Sequence, residues 1–240
     1  MHRDIRRMSR YGAFVLLIAS VLACTGTPST TPSEIPKGIN DPFLSRDLDV
    51  AQFVERFEGE SRDVFAERHA IADALGLSRG SRIADIGAGT GFFTASFANK
   101  VGDSGTVYAV EISPNFLEHL RERAAVPGMT SVRVVEGTRN SVELPPSSID
   151  VAFICDVYHH FEAPRDSLAS LYSAIRPGGS LVLIDFDRIP GKSPEWILEH
   201  VRAGREVFRA EIEAAGFRFT EEIHLEGLTN NYMLRFERAR

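Results

Sequence analysis

The chain has 240 residues, 43% of them hydrophobic and 25% charged, an average globular balance that excludes a disordered or low-complexity polypeptide. That length can bury one substantial core. A net charge of −6 argues against a nucleic-acid-binding face, which needs clustered Lys and Arg.

Residues 1–23 read as a targeting segment. Arg3, Arg6, Arg7 and Arg10 form a basic region, and the apolar run 13–23, broken only by Ser20, is too short to span a bilayer comfortably. Its end, Val21-Leu22-Ala23-Cys24, resembles a bacterial lipoprotein signal, with Val21 where that signal prefers Leu. The resemblance implies cleavage before Cys24, lipidation of its thiol, and a membrane-anchored protein facing the periplasm or cell exterior. An ordinary cleaved signal and an uncleaved anchor stand as alternatives. Residues 24–46 read as a linker, since four prolines with Ser and Thr suit a tether rather than a core. Loss of residues 1–23 removes four Arg and one Asp and takes the net charge from −6 to −9, so acyl chains rather than charge would hold the protein to anionic lipid. Cys155 then has no intramolecular partner, and the apolar run before it predicts burial.

Residues 47–240 read as one domain. Val50, Phe53, Val54 and Phe57 recur on one helical face, and a second helix is expected over 62–75, with Val64, Phe65, Ile71, Ala72 and Leu75 inward. Strand patterns then fall at 82–86, 106–110, 132–135, 149–154 and 180–186, separated by helical patterns at 92–101, 114–125 and 164–175. Continuous apolar strands alternating with helices mean a parallel sheet covered on both faces. A helical region over 194–215 begins at a Ser193 cap with Pro194 at the first helical position. Trp196, the only tryptophan, is expected in the core. Two β-like runs follow, 217–224 and 231–236, whose short link permits only an antiparallel pair. The expectation is an α/β, doubly wound, mostly parallel seven-stranded sheet with an antiparallel last strand.

The chemistry gathers where these strands end. Asp85 and Ile86 close the first strand, and Gly87-Ala88-Gly89-Thr90-Gly91 follows before a helix. Glycines let the chain turn sharply and let a ligand lie against main-chain N–H groups. In open α/β sheets that turn is where nucleotide-like ligands bind. Phe92 occupies the place of a dinucleotide fingerprint's third glycine, which disfavours a nicotinamide oxidoreductase. Glu111 ends the second strand, placed to accept hydrogen bonds from both hydroxyls of a ribose; a charge favourable to the next helix is the plainer alternative. The third strand runs into Gly137-Thr138, and the fourth into Cys155-Asp156-Val157-Tyr158-His159-His160. Arg176-Pro177-Gly178-Gly179 reads as a turn before the fifth strand. A histidine is a candidate base near neutral pH, although His159 and His160 could simply line a pocket. His69, His119, His200 and His224 each stand alone, and no spacing argues for a metal.

Across 82–186 these motifs resemble the class I S-adenosylmethionine-dependent methyltransferases, whose first motif is Gly-x-Gly-x-Gly with an acid two residues ahead. The resemblance implies a Rossmann-like fold and S-adenosylmethionine as cofactor. It places Asp85, Gly87, Ala88, Gly89 and Gly91 at the amino-acid end and Glu111 at the ribose, with Ile112 and Asp156 also binding the cofactor. Thr138 stands where many relatives carry an aspartate for the adenine amino group. The loop after the fourth strand would face the transferred methyl, with His160 as catalytic base. The His-His pair is similar to methyltransferases of the ubiquinone-biosynthesis type, implying a small-molecule or lipid-like acceptor. Because this cofactor is made in the cytoplasm and the head predicts export, a noncatalytic exported module that binds a nucleoside-like ligand is the second reading.

Overall fold

The structure is a computed structural model that describes residues 35, 38–59 and 62–240. The signal, the lipidation of Cys24 and most of the 24–46 linker lie outside the described residues. Short helices open the described chain: α1 (Asp41–Leu44), α2 (Val50–Phe57), α3 (Asp63–Ala66) and α4 (Arg68–Ala74). An alternating core follows, with β1 (Arg82–Ile86), α5 (Phe92–Val101), β2 (Thr106–Glu111), α6 (Pro114–Ala124), β3 (Val132–Glu136), β4 (Ile149–Cys155), α7 (Pro164–Ala174) and β5 (Ile175–Phe186). The chain ends in α8 (Glu195–His200), α9 (Arg205–Ala214), β6 (Phe217–Glu222) and β7 (Asn231–Arg238).

The seven strands form one sheet in the order β3-β2-β1-β4-β5-β7-β6. Pairing is parallel from β3 to β5, whereas β7 runs antiparallel to both β5 and β6. This is the doubly wound, mostly parallel layout expected from the sequence. Side chains alternate across each strand, so β4 sends Ala152 and Ile154 to one apolar layer and Val151 and Phe153 to the other. Phe153 receives the edges of Phe93 and Phe97 from α5 at ring-centre distances of 4.8 and 5.2 Å, which fixes that helix on the sheet. No helix of the described residues is long and apolar enough to cross a membrane.

Four details depart from the sequence reading. The 62–75 helix breaks at Glu67. There the Arg68 guanidinium donates to the Phe65 carbonyl and lies 4.1 Å from the Phe65 ring centre. The 194–215 region divides around residues 201–204, where Val201 is buried and Arg202 turns inward to pair with Glu211 at 2.6 Å. Residues 176–179 bulge within β5 instead of preceding it, because Ile175 pairs with Ile149 and Ser180 already pairs with Val151. Trp196, expected in the core, is 49% exposed and sets its ring edge-on to Phe186. Its helix is too short to bury both that face and Ile197, which takes the core position.

Candidate active site

The carboxyl ends of β1 and β4 lie side by side at the centre of the sheet, where the connections diverge to opposite edges. Such a switch point leaves a crevice, and the glycine turn occupies it. Gly87, Gly89 and Gly91 have φ of +67°, +53° and +80°, a region that L side chains rarely adopt. A Cβ on Gly87 would sit 2.5 Å from a methyl of Val157, so the turn after β1 packs directly against the loop after β4. Gly89 differs. A Cβ there would meet no protein atom closer than 3.9 Å, which marks it as the residue facing open space.

Four of the turn's five N–H groups are already engaged. Those of Gly87 and Ala88 donate to the Val110 carbonyl, that of Gly91 to Ala88, and that of Gly89 to Glu111 Oε2 at 2.9 Å. The motif therefore offers close approach of bare backbone more than a set of free donors.

Three carboxylates surround it. Glu111 is 7% exposed, and its Oε1 accepts from the N–H groups of Ile112 and Ser113 at 2.7 and 2.9 Å. Burial raises its pKa, and the donors of Ser113, Gly89 and Ile112 oppose that rise. Asp85 is 4% exposed and accepts from the Thr94 hydroxyl at 2.6 Å. Burial pushes it up to about 7, with the Glu111 charge adding to the shift. Asp156, itself at φ +55°, accepts from Arg62 and from Asn231, each at 2.6 Å. Burial lifts Asp156 to about 6 despite the Arg62 guanidinium. Ile112 is half-buried, and the Gly137 N–H donates to the Glu111 carbonyl at 2.9 Å, which brings Thr138 to the same strand end. Thr138 is exposed, and its hydroxyl donates to Asn140 at 2.8 Å.

The N-terminal helices cover the crevice. Phe57 lies 4.0 Å from the position a Gly89 Cβ would take, and Arg62 reaches over the Phe57 ring to Asp156. Arg123 ties this cover to the turn by donating to Glu58 and to the Thr90 carbonyl at 3.0 and 2.9 Å. The end of the expected linker is structured too, since Asn40 donates to the His160 carbonyl at 3.0 Å and Phe43 sets its edge against the His160 ring.

Beyond Asp156, a 3₁₀ turn (Tyr158–His160) presents the two histidines. His159 Nδ1–H donates to Asp185 at 2.7 Å, both side chains being 1% exposed or less. His160 Nε2 faces His200 Nε2 at 3.2 Å. His200 was expected alone, and α8 brings it here. Burial pushes His160 down to about 3, with His159 and His200 adding to the fall. At pH 7 that leaves His160 a neutral lone-pair donor. Cys155 lies at the same strand end, half-buried, and burial pushes its thiol up, so it is no ready nucleophile. Sequence spacing gave no sign of Arg62, Asn231, Asp185 or His200. A cavity of about 480 Å³ lies instead at the amino ends of the strands, lined by Arg79, Asp150 and Arg176, away from these carboxylates.

Comparison with known proteins agrees with this geometry. Residues 84–183 match the sequence family described as Methyltransferase domain. The ubiquinone/menaquinone biosynthesis C-methyltransferase of Azotobacter vinelandii is 32% identical over 114 residues, covering 47% of this chain and 45% of that protein. Its counterpart in Erwinia tasmaniensis is 29% identical over 117 residues, covering 48% and 47%. The chain thus spans about half the length of the curated relatives it matches. Among solved structures, a SAM-dependent methyltransferase from Aquifex aeolicus aligns with a TM-score of 0.68 at 22% identity, over 80% of this chain and 99% of that one. The fold is that of the class I methyltransferases.

Proposed function

We propose that this chain, which carries a methyltransferase domain on a class I fold, moves a methyl group from S-adenosylmethionine to a small-molecule or lipid-like acceptor. One observation carries the reading. Two buried carboxylates, Asp85 and Glu111, flank a glycine turn at the sheet's switch point, both with raised pKa and neither paired with a cationic side chain among the described residues.

Those residues fit the cofactor. Buried acids short of positive charge favour a ligand that brings some, and Asp85 lies where an ammonium group would relieve it. Glu111 accepts from the Gly89, Ile112 and Ser113 N–H groups, which fixes its carboxylate at the end of β2, the position proposed for a ribose diol. Gly89 leaves room beside the turn, and the adenine is proposed to lie toward Thr138, one residue beyond Gly137. When bound, the cofactor supplies an electrophilic methyl on a sulfonium.

Methyl transfer is an in-line displacement in which charge disappears. Water stabilises the charged reactants more than the dispersed transition state, so alignment and dryness supply much of the acceleration. Phe53 and Phe57 of α2 pack with Phe43 of α1, which meets His160, and this apolar cluster would help keep water from the crevice. His159, His160, His200 and Phe186 form a largely aromatic wall beyond Asp156, suited to a flat, apolar acceptor. The likeness to C-methyltransferases named for ubiquinone and menaquinone biosynthesis supports that class of acceptor. The lipoprotein-like head supports export and anchoring through Cys24, which would keep the enzyme beside membrane-borne substrates.

Incubation with methyl-labelled S-adenosylmethionine and a membrane lipid extract tests the reading. Label should enter the organic phase with the wild-type protein and not with Glu111→Gln. Tight cofactor binding without transfer to any fraction would favour the noncatalytic binding module instead.

A further inference from the structure

We propose that His159, His160 and His200 together bind one divalent transition-metal cation of the zinc class, leaving an open coordination position. Their ligand nitrogens all lie within 4.8 Å of one another. Two of them, the Nε2 atoms of His160 and His200, are 3.2 Å apart, close to the roughly 3.3 Å edge of a tetrahedral site with zinc–nitrogen bonds of about 2.0–2.1 Å.

The surrounding groups favour ligation over simple packing. His159 gives its Nδ1–H to the Asp185 carboxylate at 2.7 Å, which fixes the ring and leaves Nε2 as a lone pair. Asp185 is itself held by the main-chain N–H groups of Phe186 and His159 at 2.8 and 3.2 Å. A carboxylate bracing a histidine in this way is the usual support behind a metal-ligating imidazole. His160 turns Nε2 toward His200, while its Nδ1 is buried with no hydrogen-bond partner among the described residues, so this ring lacks the carboxylate brace that His159 has. The set grades from buried His159 through half-buried His160 to exposed His200, which gives the cation a path from solvent. Imidazole donors suit zinc and its neighbours more than magnesium or calcium, which prefer oxygen.

Three histidines leave one tetrahedral position free, as in catalytic zinc sites. If the chain is a methyltransferase, that position lies on the acceptor side, and an acceptor hydroxyl bound there would release its proton to water more readily and present a better nucleophile. This consequence rests on the proposed function; the binding site itself does not.

Zinc titration by calorimetry on the tag-free full chain, with cobalt absorption as a second reading, decides the matter. One metal per chain is expected. His200→Ala, at an exposed position that tolerates truncation, should abolish stoichiometric binding while leaving the thermal melt unchanged. Asp185→Asn should weaken binding about 10- to 100-fold by loosening His159. Absence of zinc and cobalt binding to the wild-type chain, or His200→Ala binding as tightly as wild type, would overturn the proposal. S-adenosylmethionine titrated into the same samples reads the cofactor site separately, so failure of one site is distinguishable from failure of the other.

Discussion

Asp85 is the residue through which pH should act on cofactor binding. Burial holds it at about 7, and the titratable groups facing it are Glu111 and Cys155, both also pushed upward. A cationic ligand favours the ionised carboxylate, so binding below pH 7 must first release a proton. Affinity for S-adenosylmethionine should therefore fall about tenfold per pH unit below pH 7 and level off above it. Asp85→Asn should flatten that slope; an unchanged slope in calorimetry would remove Asp85 from the site. Stability runs the other way. The folded-state pKa lies above the ordinary 3.8, so the contribution of this group is full below about pH 4 and is lost as pH rises through about 7. Without ligand, Asp85→Asn should melt higher than wild type at pH 8.

The glycines separate packing from binding. A Cβ on Gly87 would overlap Val157, whereas one on Gly89 would point into open space. Gly87→Ala should lower the melting temperature. Gly89→Val should cost about 1–2 kcal/mol of backbone strain yet abolish cofactor binding. Unchanged cofactor affinity in the second variant would show that the turn is not the binding surface. Asp85, the glycines and Glu111 were legible in the sequence because they are local, each fixed by the end of an apolar strand. Arg62 and Asn231 were not, since they reach Asp156 across 94 and 75 residues, and only the folded sheet brings them there.

Among the elements, α2 and α3 act as the cover. Arg62 links Phe57 of α2 to Asp156 beyond β4, so Arg62→Ala should loosen the cover, speed cofactor release and lower the melting temperature, because it leaves the buried Asp156 without its cation. Surface plasmon resonance would read the release rate, and an unchanged rate would show that the cover is not held by this pair. The strands themselves were readable from unbroken apolar runs and the antiparallel tail from its short link. The breaks at Glu67 and at residues 201–204 were hidden, because apolar periodicity passes through both while side-chain pairing of Arg68 and Arg202 redirects the chain. The Pro177-Gly178-Gly179 signal was correctly read as a departure from regular structure, but it fits a bulge inside β5 as well as a turn before it. His200 looked solitary for a similar reason. Its partners lie 40 residues earlier, and α8 alone sets their meeting.

At the scale of the whole molecule, an acidic α/β domain preceded by a lipoprotein-like head should sit at a membrane by its acyl chains. Cys24→Ser should shift the protein from the membrane to the soluble fraction, and continued membrane association would favour an uncleaved anchor. The matched relatives share about half their length with this chain, and the family match takes in the strands that build the crevice. The segments that supply Asn231 and His200 lie outside the 84–183 family match. The acceptor side is accordingly where this protein should differ most from them.

Calorimetric titration of S-adenosylmethionine into the wild-type chain and Glu111→Gln at pH 8 tests the central claim most directly. The crevice predicts one cofactor per wild-type chain and binding about 10- to 100-fold weaker in the variant, the loss expected for hydrogen bonds to a charged acceptor. No binding by the wild-type chain, or equal affinity in both, would contradict it.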